Sequence, residues 1–405
     1  MTYMMAEKIR NIAFVHGDFP FGGAEKVTLD IAEYLAPMGY RVYIFTTGFR
    51  KERMPAGKEY PVKILALPQK DVVKSRADAS YICGKIKELD IKVLVLVAKR
   101  LKHIDLIRDT GVRTVYAHHN MPFHEARAYI DRAWIKGRRS PLRHLEWLLI
   151  SYPKYVLFGQ AKKREFRFYR ESYDECDRYV MLCDEYKDEI VRRLGLDPSV
   201  NKLRVIENYQ TLPDRICYDK ENIILYTGRL SYADKRLDRL IDAWSLIYGK
   251  LPDWKVLIVG DGKEKKNLEK KIRKAGLPRI SLEGFSNDPG KYYEKASILA
   301  LVSTYEGWPL SMTEAQANGV IPVVFGSFAA ARHILGENGE YGFIVEPFDI
   351  EAYAETLYKV ATMPENESMD MRKRITEKVR TVHTMESVGE KWKQLFDSLI
   401  DNPGK

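Results

Sequence analysis

The chain has 405 residues, 45% of them hydrophobic, and a formal net charge of +10; at roughly 100–200 residues per domain this suggests two domains with ample core. No apolar run approaches the roughly 20 residues that span a bilayer, and the opening "MTYMMAEKIRNIAFVHG" is too short and too mixed for a secretory signal, so a cytoplasmic protein is expected. The four cysteines, Cys83, Cys176, Cys183 and Cys217, show no C-x-x-C spacing and are expected to be reduced and structural.

In chain order, "NIAFVHG" reads as a buried strand that runs into the Gly-rich "FGGAEK". "VTLDIAEYLAPMG" follows as a helix with Val27, Leu29, Ile31 and Leu35 turned inward, and "YRVYIFTTG" as a second strand. Gly22 and Gly23 mark the strand-to-helix turn of this unit. "KVLVLVA", "RTVYAHHN" and "DRYVMLC" add strands, so the first half is expected to be a parallel α/β domain.

Residues 132–170 break the pattern with eleven Lys and Arg against two Glu, and with eight aromatics. Nearly all of the excess charge sits in this one insertion. Leu142, Leu145, Leu148 and Leu149 fall at helical spacing beside Trp147, which suits a helix lying in an anionic membrane interface. A packed excursion with solvated charges has the same composition.

After the turn-rich "LRVIENYQTLPDR" the alternation restarts with "NIILYTGRL", "WKVLIVGDG", "ISLEGF", "SILALVS" and "IPVVF" as strands. The expected fold is therefore α/β with two Rossmann-like domains facing across a central cleft. The boundaries are 1–212, with the insertion at 132–170, and 213–385; a closing helix from "VGEKWKQLFDSLI", within 386–405, is expected to pack back toward the first domain.

Ligands of such sheets bind outside the carboxyl ends of the strands. There "STYEGWPLSMTEAQANGVIPVV" places Glu306 at a strand end, Gly307 where backbone can approach a ligand, and then a helix whose first N–H groups form an anion site. Glu314, one turn in, could accept two hydrogen bonds from a diol such as a ribose. Ser311 to Glu314 also fits a capping box, and Glu306 also fits a plain surface loop. "YTGRLSYADKRLDRLI" brings Gly228, Arg229 and Lys235 to the same side, a planar fork and a point charge suited to a diphosphate, or else a solvated basic loop. With neither G-x-G-x-x-G nor a P-loop, a nicotinamide cofactor or ATP is disfavoured.

These stretches carry a resemblance. "GGAEKV", "GRLSYADKRLDRLI", "VGDG", "EGF" and above all the two-glutamate stretch resemble the successive motifs of retaining GT-B glycosyltransferases of family 4 (group 1), covering the second half nearly end to end. The first half is matched at the glycine loop and at "VYAHHNMP". The resemblance implies a metal-independent transferase using a nucleotide-sugar as substrate, with a UDP-sugar favoured over a GDP-sugar and no further cofactor. It puts the ribose on Glu314 and the diphosphate on Arg229, Lys235 and the backbone of Gly307, Trp308, Pro309 and Leu310. The sugar falls near Glu306 and a histidine, and Gly22, Gly23, Gly228 and Gly260 line the donor. His119 fits the histidine position better than His118, and the choice stays open. His118, His119 and His124 lack the carboxylate or cysteine pattern of a metal site, and no Asp-x-Asp occurs.

The implied function is transfer of a hexosyl-type unit, with retention, to a saccharide or lipid-linked acceptor in bacterial surface-polysaccharide or lipopolysaccharide assembly, on the inner face of the cytoplasmic membrane if the insertion binds lipid. Two other readings compete. A nucleotide-sugar epimerase can share the fold but needs acid and base groups around the sugar. A nucleic-acid-binding protein would use the basic, aromatic insertion, yet the charge is confined to one segment of an enzyme-like chain, so no nucleic-acid partner is expected.

Overall fold

The computed structural model describes residues 9–20, 22–51, 54, 58–138 and 141–401, the side chains of 132–138 excepted. The chain divides into two units. The first comprises Met1–Asn120, Phe166–Tyr209 and Met385–Lys405; the second comprises Met121–Glu165 and Gln210–Thr384.

In the first unit seven strands form one parallel sheet. They are β1 (Arg10–Val15), β2 (Tyr40–Thr46), β3 (Val62–Ala66), β4 (Ile91–Val97), β5 (Arg113–Ala117), β6 (Arg178–Met181) and β7 (Leu203–Val205), in the order β3-β2-β1-β4-β5-β6-β7. The central strands are apolar at nearly every position because both faces are covered, which is the signature of a parallel sheet with helices on each side. One of those helices, α1 (Gly23–Leu35), buries Val27, Ile31 and Leu35 against Ile12 and Phe14 of β1.

The C-terminal helix spans Met385–Asp401 and completes this same core, with Val388, Trp392, Leu395 and Phe396 packed among Phe14, Tyr40 and Leu35. Its polar edge is fixed by Arg10 on Asp397 at 2.5 Å and by Lys391 on Glu207 at 2.6 Å. Gly389 is required there, because a Cβ would lie 2.4 Å from the Tyr34 ring.

The second unit holds β8 (Ile223–Thr227), β9 (Lys255–Val259), β10 (Ile280–Gly284), β11 (Ile298–Leu301), β12 (Ile321–Phe325) and β13 (Phe343–Val345) in the order β10-β9-β8-β11-β12-β13, all parallel. Each sheet reverses its winding once, between β1 and β4 in the first unit and between β8 and β11 in the second. The crevice outside the strand ends at such a reversal is where doubly wound sheets bind ligands.

Three strands of these two sheets, β3, β7 and β13, are absent from the sequence reading. All are outermost in their sheets. An edge strand has a neighbour on one side only, so most positions of β3 and β7 are partly or fully exposed in place of the apolar run that marks a central strand.

The insertion also differs from expectation. The expectation places residues 132–170 in the first domain; Met121–Glu165 groups with the second unit and Phe166–Tyr209 with the first. The helix Glu125–Arg138 is tied there at its start: the His124 ring packs on Tyr305 at 4.7 Å, Arg127 lies 5.9 Å over the Phe348 ring, and the Ala126 N–H donates to the buried Glu165 carboxylate at 2.7 Å. The side chains of Arg132, Trp134, Lys136, Arg138 and Arg139 lie outside the described residues.

Cys176 and Cys183 are buried and all four cysteines are unpaired. Burial pushes Cys176 up to about 12 and Cys183 upward as well, which keeps both as thiols.

Candidate active site

In the second unit the strand ends β8 and β9 meet through glycine. Gly228 and Gly260 adopt φ of 144° and 146°, and a Cβ on Gly260 would lie 1.8 Å from the Gly228 carbonyl oxygen. The Gly228 N–H donates to Val259 at 3.0 Å and the Gly260 N–H to Gly284 at 2.7 Å. Gly260 therefore closes the backbone of one strand-end loop onto the other.

That closure fixes the loop after β8. Its Asp234 carbonyl accepts from the Thr304 N–H at 2.7 Å, which joins it to the loop after β11. Across this join Lys235 Nζ lies 2.5 Å from Glu306 Oε1, with side-chain exposures of only 15% and 11%. Ser303 Oγ donates to the same oxygen at 2.7 Å. Arg229 stands apart, 68% exposed and paired with Asp234 at 3.1 Å. Burial works against the Asp234 charge, but the Ser231 hydroxyl and the Lys235 and Arg229 cations outweigh it and hold this carboxyl below its usual range. The structure thus brings Lys235 to Glu306 and leaves Arg229 at the surface, where sequence spacing paired Arg229 with Lys235.

The helix that follows spans Leu310–Ala317, with Pro309 at its N-cap and no side-chain cap bond. Its Glu314 is half-buried and accepts a hydrogen bond from the Tyr293 hydroxyl at 3.0 Å. The capping-box alternative for Ser311 and Glu314 is not realised. Tyr293 is fully buried, its hydroxyl also contacts Thr227 Oγ1 at the end of β8, and burial reinforced by the Glu314 charge pushes the phenol well above its usual range. It stays a donor. Gly307, Trp308 and Pro309 are buried; the Trp308 ring lies 5.5 Å from His383 and 5.8 Å from His333. Trp308 and Pro309 thus anchor the loop in the interior of their unit, while Leu310 is half-buried at the helix start.

In the first unit the adjacent histidines part. His118 is buried in an aromatic stack, 6.1 Å from Tyr116 and 6.3 Å from Tyr179, with Nε2 3.3 Å from the Tyr169 hydroxyl. His119 is half-buried and turned toward His16 and Glu25, and its Nδ1 has no hydrogen-bond partner among the described residues. Burial, then the neighbouring His16, pushes it down to about 4 against the pull of Glu25. Consecutive strand-end residues point oppositely, so one enters the core and the other the loop side.

Glu25 organises the glycine loop: it accepts from the Gly22 N–H at 2.9 Å and lies 3.7 Å from His16 Nδ1. Burial opposes its charge, but His16 and the backbone donors hold it below its usual range. Gly23, exposed, opens α1.

The sequence reading missed His16, Glu25, Asp234, Tyr293 and Ser303. His16 lies inside "NIAFVHG", Glu25 inside "GGAEK" and Asp234 inside "YTGRLSYADKRLDRLI", and Ser303 opens the two-glutamate stretch; Tyr293, in "KYYEK", carries no local signal. Among the described residues no cluster of His, Cys, Asp or Glu could hold a metal ion.

Two parallel Rossmann-type sheets with charged strand-end loops of this kind define the GT-B class of glycosyltransferases. Residues 213–382 match the family Glycosyl transferases group 1, and residues 21–209 match Glycosyltransferase Family 4. The chain belongs to this family. An uncharacterized glycosyltransferase of Haemophilus influenzae is 25% identical over 381 residues, 93% of this chain and 96% of that one. The amylovoran biosynthesis glycosyltransferase AmsD of Erwinia amylovora is 33% identical over 134 residues, 33% of this chain and 37% of its own length. Among solved structures, TarM of S. aureus, in complex with UDP, superposes with a TM-score of 0.70 over 96% of this chain and 100% of that one at 13% identity. HepE of Anabaena, with UDP and glucose, gives 0.69 over 96% and 100% at 16%.

Proposed function

We propose that this glycosyltransferase moves a hexosyl-type unit from a nucleotide-sugar, a UDP-sugar in preference to a GDP-sugar, to a saccharide or lipid-linked acceptor, with retention at the anomeric carbon. The observation that carries the reading is the Ser303–Glu306–Lys235 cluster at the carboxyl end of β11, beside Glu314 held by Tyr293. It offers a cation and two oriented carboxylates where a doubly wound sheet binds ligand.

In this reading Glu314 takes the ribose hydroxyls. Arg229, Lys235 and the first-turn N–H groups of Leu310–Ala317 take the diphosphate, and Glu306 orients the sugar. Gly228 and Gly260 shape the floor, and Gly307, Trp308 and Pro309 set the path of the loop. In the first unit, the resemblance assigns His119 to the sugar and Gly22 and Gly23 to the donor. The bond from the anomeric carbon to the diphosphate oxygen loosens toward an oxocarbenium-like state, and the acceptor hydroxyl bonds on the same face while its proton passes to the departing diphosphate. Lys235 and Arg229 stabilise the charge that grows on that leaving group, usually the largest catalytic contribution. No metal ion is required.

The acceptor class is supported by relatives. A lipopolysaccharide 1,6-galactosyltransferase of Salmonella typhimurium is 24% identical over 51% of this chain and 56% of its own length, and a Campylobacter jejuni galactosaminyltransferase named for a diphospho-undecaprenol acceptor is 29% identical over 65% and 71%. We infer a place in bacterial surface-glycan assembly.

The test is a thermal-stabilisation screen of UDP-, GDP- and ADP-sugars, in which a ligand at about 100 times its dissociation constant adds roughly 2.7 kcal/mol. Transfer is then assayed with the stabilising donor, and the anomeric configuration of the product is read by NMR. Stabilisation by none of the donors, or an inverted product, would overturn the reading.

A further inference from the structure

More than half of the large hydrophobic side chains exposed among the described residues fall between Leu142 and Phe166; the others are scattered along the rest of the chain. Isolated exposed apolar residues are ordinary, but a concentration of this kind marks a binding surface. Leu142 is 79% exposed, Leu149 68% and Phe158 68%, with Ile150 and Leu157 close behind.

The segment is nonetheless regular. A short helix, Pro141–Glu146, continues into wide π-type turns over Trp147–Ser151 and Pro153–Leu157. Trp147 packs on Tyr152 at 5.1 Å, and Tyr155 meets Tyr129 edge-on at 4.8 Å. These pairs hold the excursion on itself and on the helix Glu125–Arg138, and the leucines stay exposed beside them. Basic side chains border them: Arg143, Lys154, Lys162, Lys163 and Arg164 are all exposed.

We propose that residues 141–166 form a docking surface for an anionic lipid bilayer, with the leucine and phenylalanine side chains entering the headgroup boundary and the basic residues meeting lipid phosphates. Charge complementarity singles out this occupant. A protein partner covering so apolar a patch would meet few like charges at its centre, whereas cations beside leucines are the composition of an interfacial segment. No helix among the described residues is long and apolar enough to cross a membrane, so attachment here is lateral. The inference is independent of turnover, since the patch includes none of the residues assigned to donor binding.

The experiment sediments the full chain with vesicles of phosphatidylcholine alone and with added phosphatidylglycerol. The expected result is binding to the anionic vesicles only, weakened by salt. Two variants follow, one with Arg143, Lys154, Lys162, Lys163 and Arg164 changed to Gln, the other with Leu142, Leu149, Leu157 and Phe158 changed to Ser. Each is expected to lose at least about tenfold in partitioning, with its melting temperature and its activity on a water-soluble acceptor unchanged. The charge variant decides alone if the apolar one does not fold. Partitioning of the charge variant equal to wild type overturns the proposal. So does failure of wild type to bind anionic vesicles, whether it elutes as a monomer or as a dimer that the Ser variant dissolves, in which case a second copy covers the patch.

Discussion

Lys235 and Glu306 form one ion pair at 2.5 Å, and Ser303 donates to the same carboxylate oxygen. The pair sits on two loops joined by the Asp234 carbonyl and the Thr304 N–H, so each side chain fixes the other. On the proposed function, the cation assigned to the leaving group and the carboxylate assigned to the sugar are thus a single preorganised unit.

Their removal should be non-additive. Lys235→Ala and Glu306→Ala are each expected to lower kcat by about 100-fold, and the double variant by far less than the product, because the second change removes a group already misplaced. Steady-state kinetics of the three variants measure this, and multiplicative losses would show that the two residues act separately.

Tyr293→Phe removes the donor to Glu314 while keeping the ring. We expect donor binding to weaken by a factor of about 5–10, equivalent to roughly 1 kcal/mol, with kcat little changed. Glu314→Ala should weaken it further. Calorimetric titration with the nucleotide-sugar reads both; unaltered affinity in both variants would detach Glu314 from the donor.

Gly260→Ala forces a Cβ to within 1.8 Å of the Gly228 carbonyl at a φ of 146°. Both effects act on backbone, so a loss of about 3 kcal/mol or more is expected. Gly276→Ala, also at positive φ but in open space, should cost only about 1 kcal/mol. Urea unfolding compares the two, and equal costs would refute the close-approach argument.

His119 gives a pH dependence with a definite sign. Its pKa is lowered to about 4 in the folded chain, against about 6.5 when unfolded. Above that unfolded value the group is neutral in both states; as pH falls toward 4 the unfolded chain binds the proton first, so stability is lost over this window, by roughly 3 kcal/mol in all. His16, also lowered by burial, acts in the same sense. His119→Asn should therefore lose less stability than wild type between pH 7 and 5 in urea unfolding. Identical losses would mean that His119 titrates normally.

Phe396→Ala tests the C-terminal helix. Phe396 is fully buried and meets Phe14 at 6.4 Å edge-on, so its truncation should cost about 3–5 kcal/mol. A change below about 1 kcal/mol would mean that the helix contributes little to its core.

The central strands, the helices between them and the residue types at the strand ends can be read from the sequence alone. Parallel sheets buried on both faces need unbroken apolar runs such as "KVLVLVA" and "IILYT", and strand-end chemistry follows directly from where those runs stop. Glu306 and Glu314 thus fall at strand-end positions that the sequence alone marks. Partner choice was decided by tertiary structure. Lys235 and Glu306 are 71 residues apart, Tyr293 reaches Glu314 from another helix, and His118 differs from His119 only in which way the end of β5 turns each ring. The edge strands β3, β7 and β13 and the grouping of Met121–Glu165 with the second unit were settled the same way. They depend on what lies beside a segment in space, and local periodicity reports only whether a face is buried, never by which neighbour.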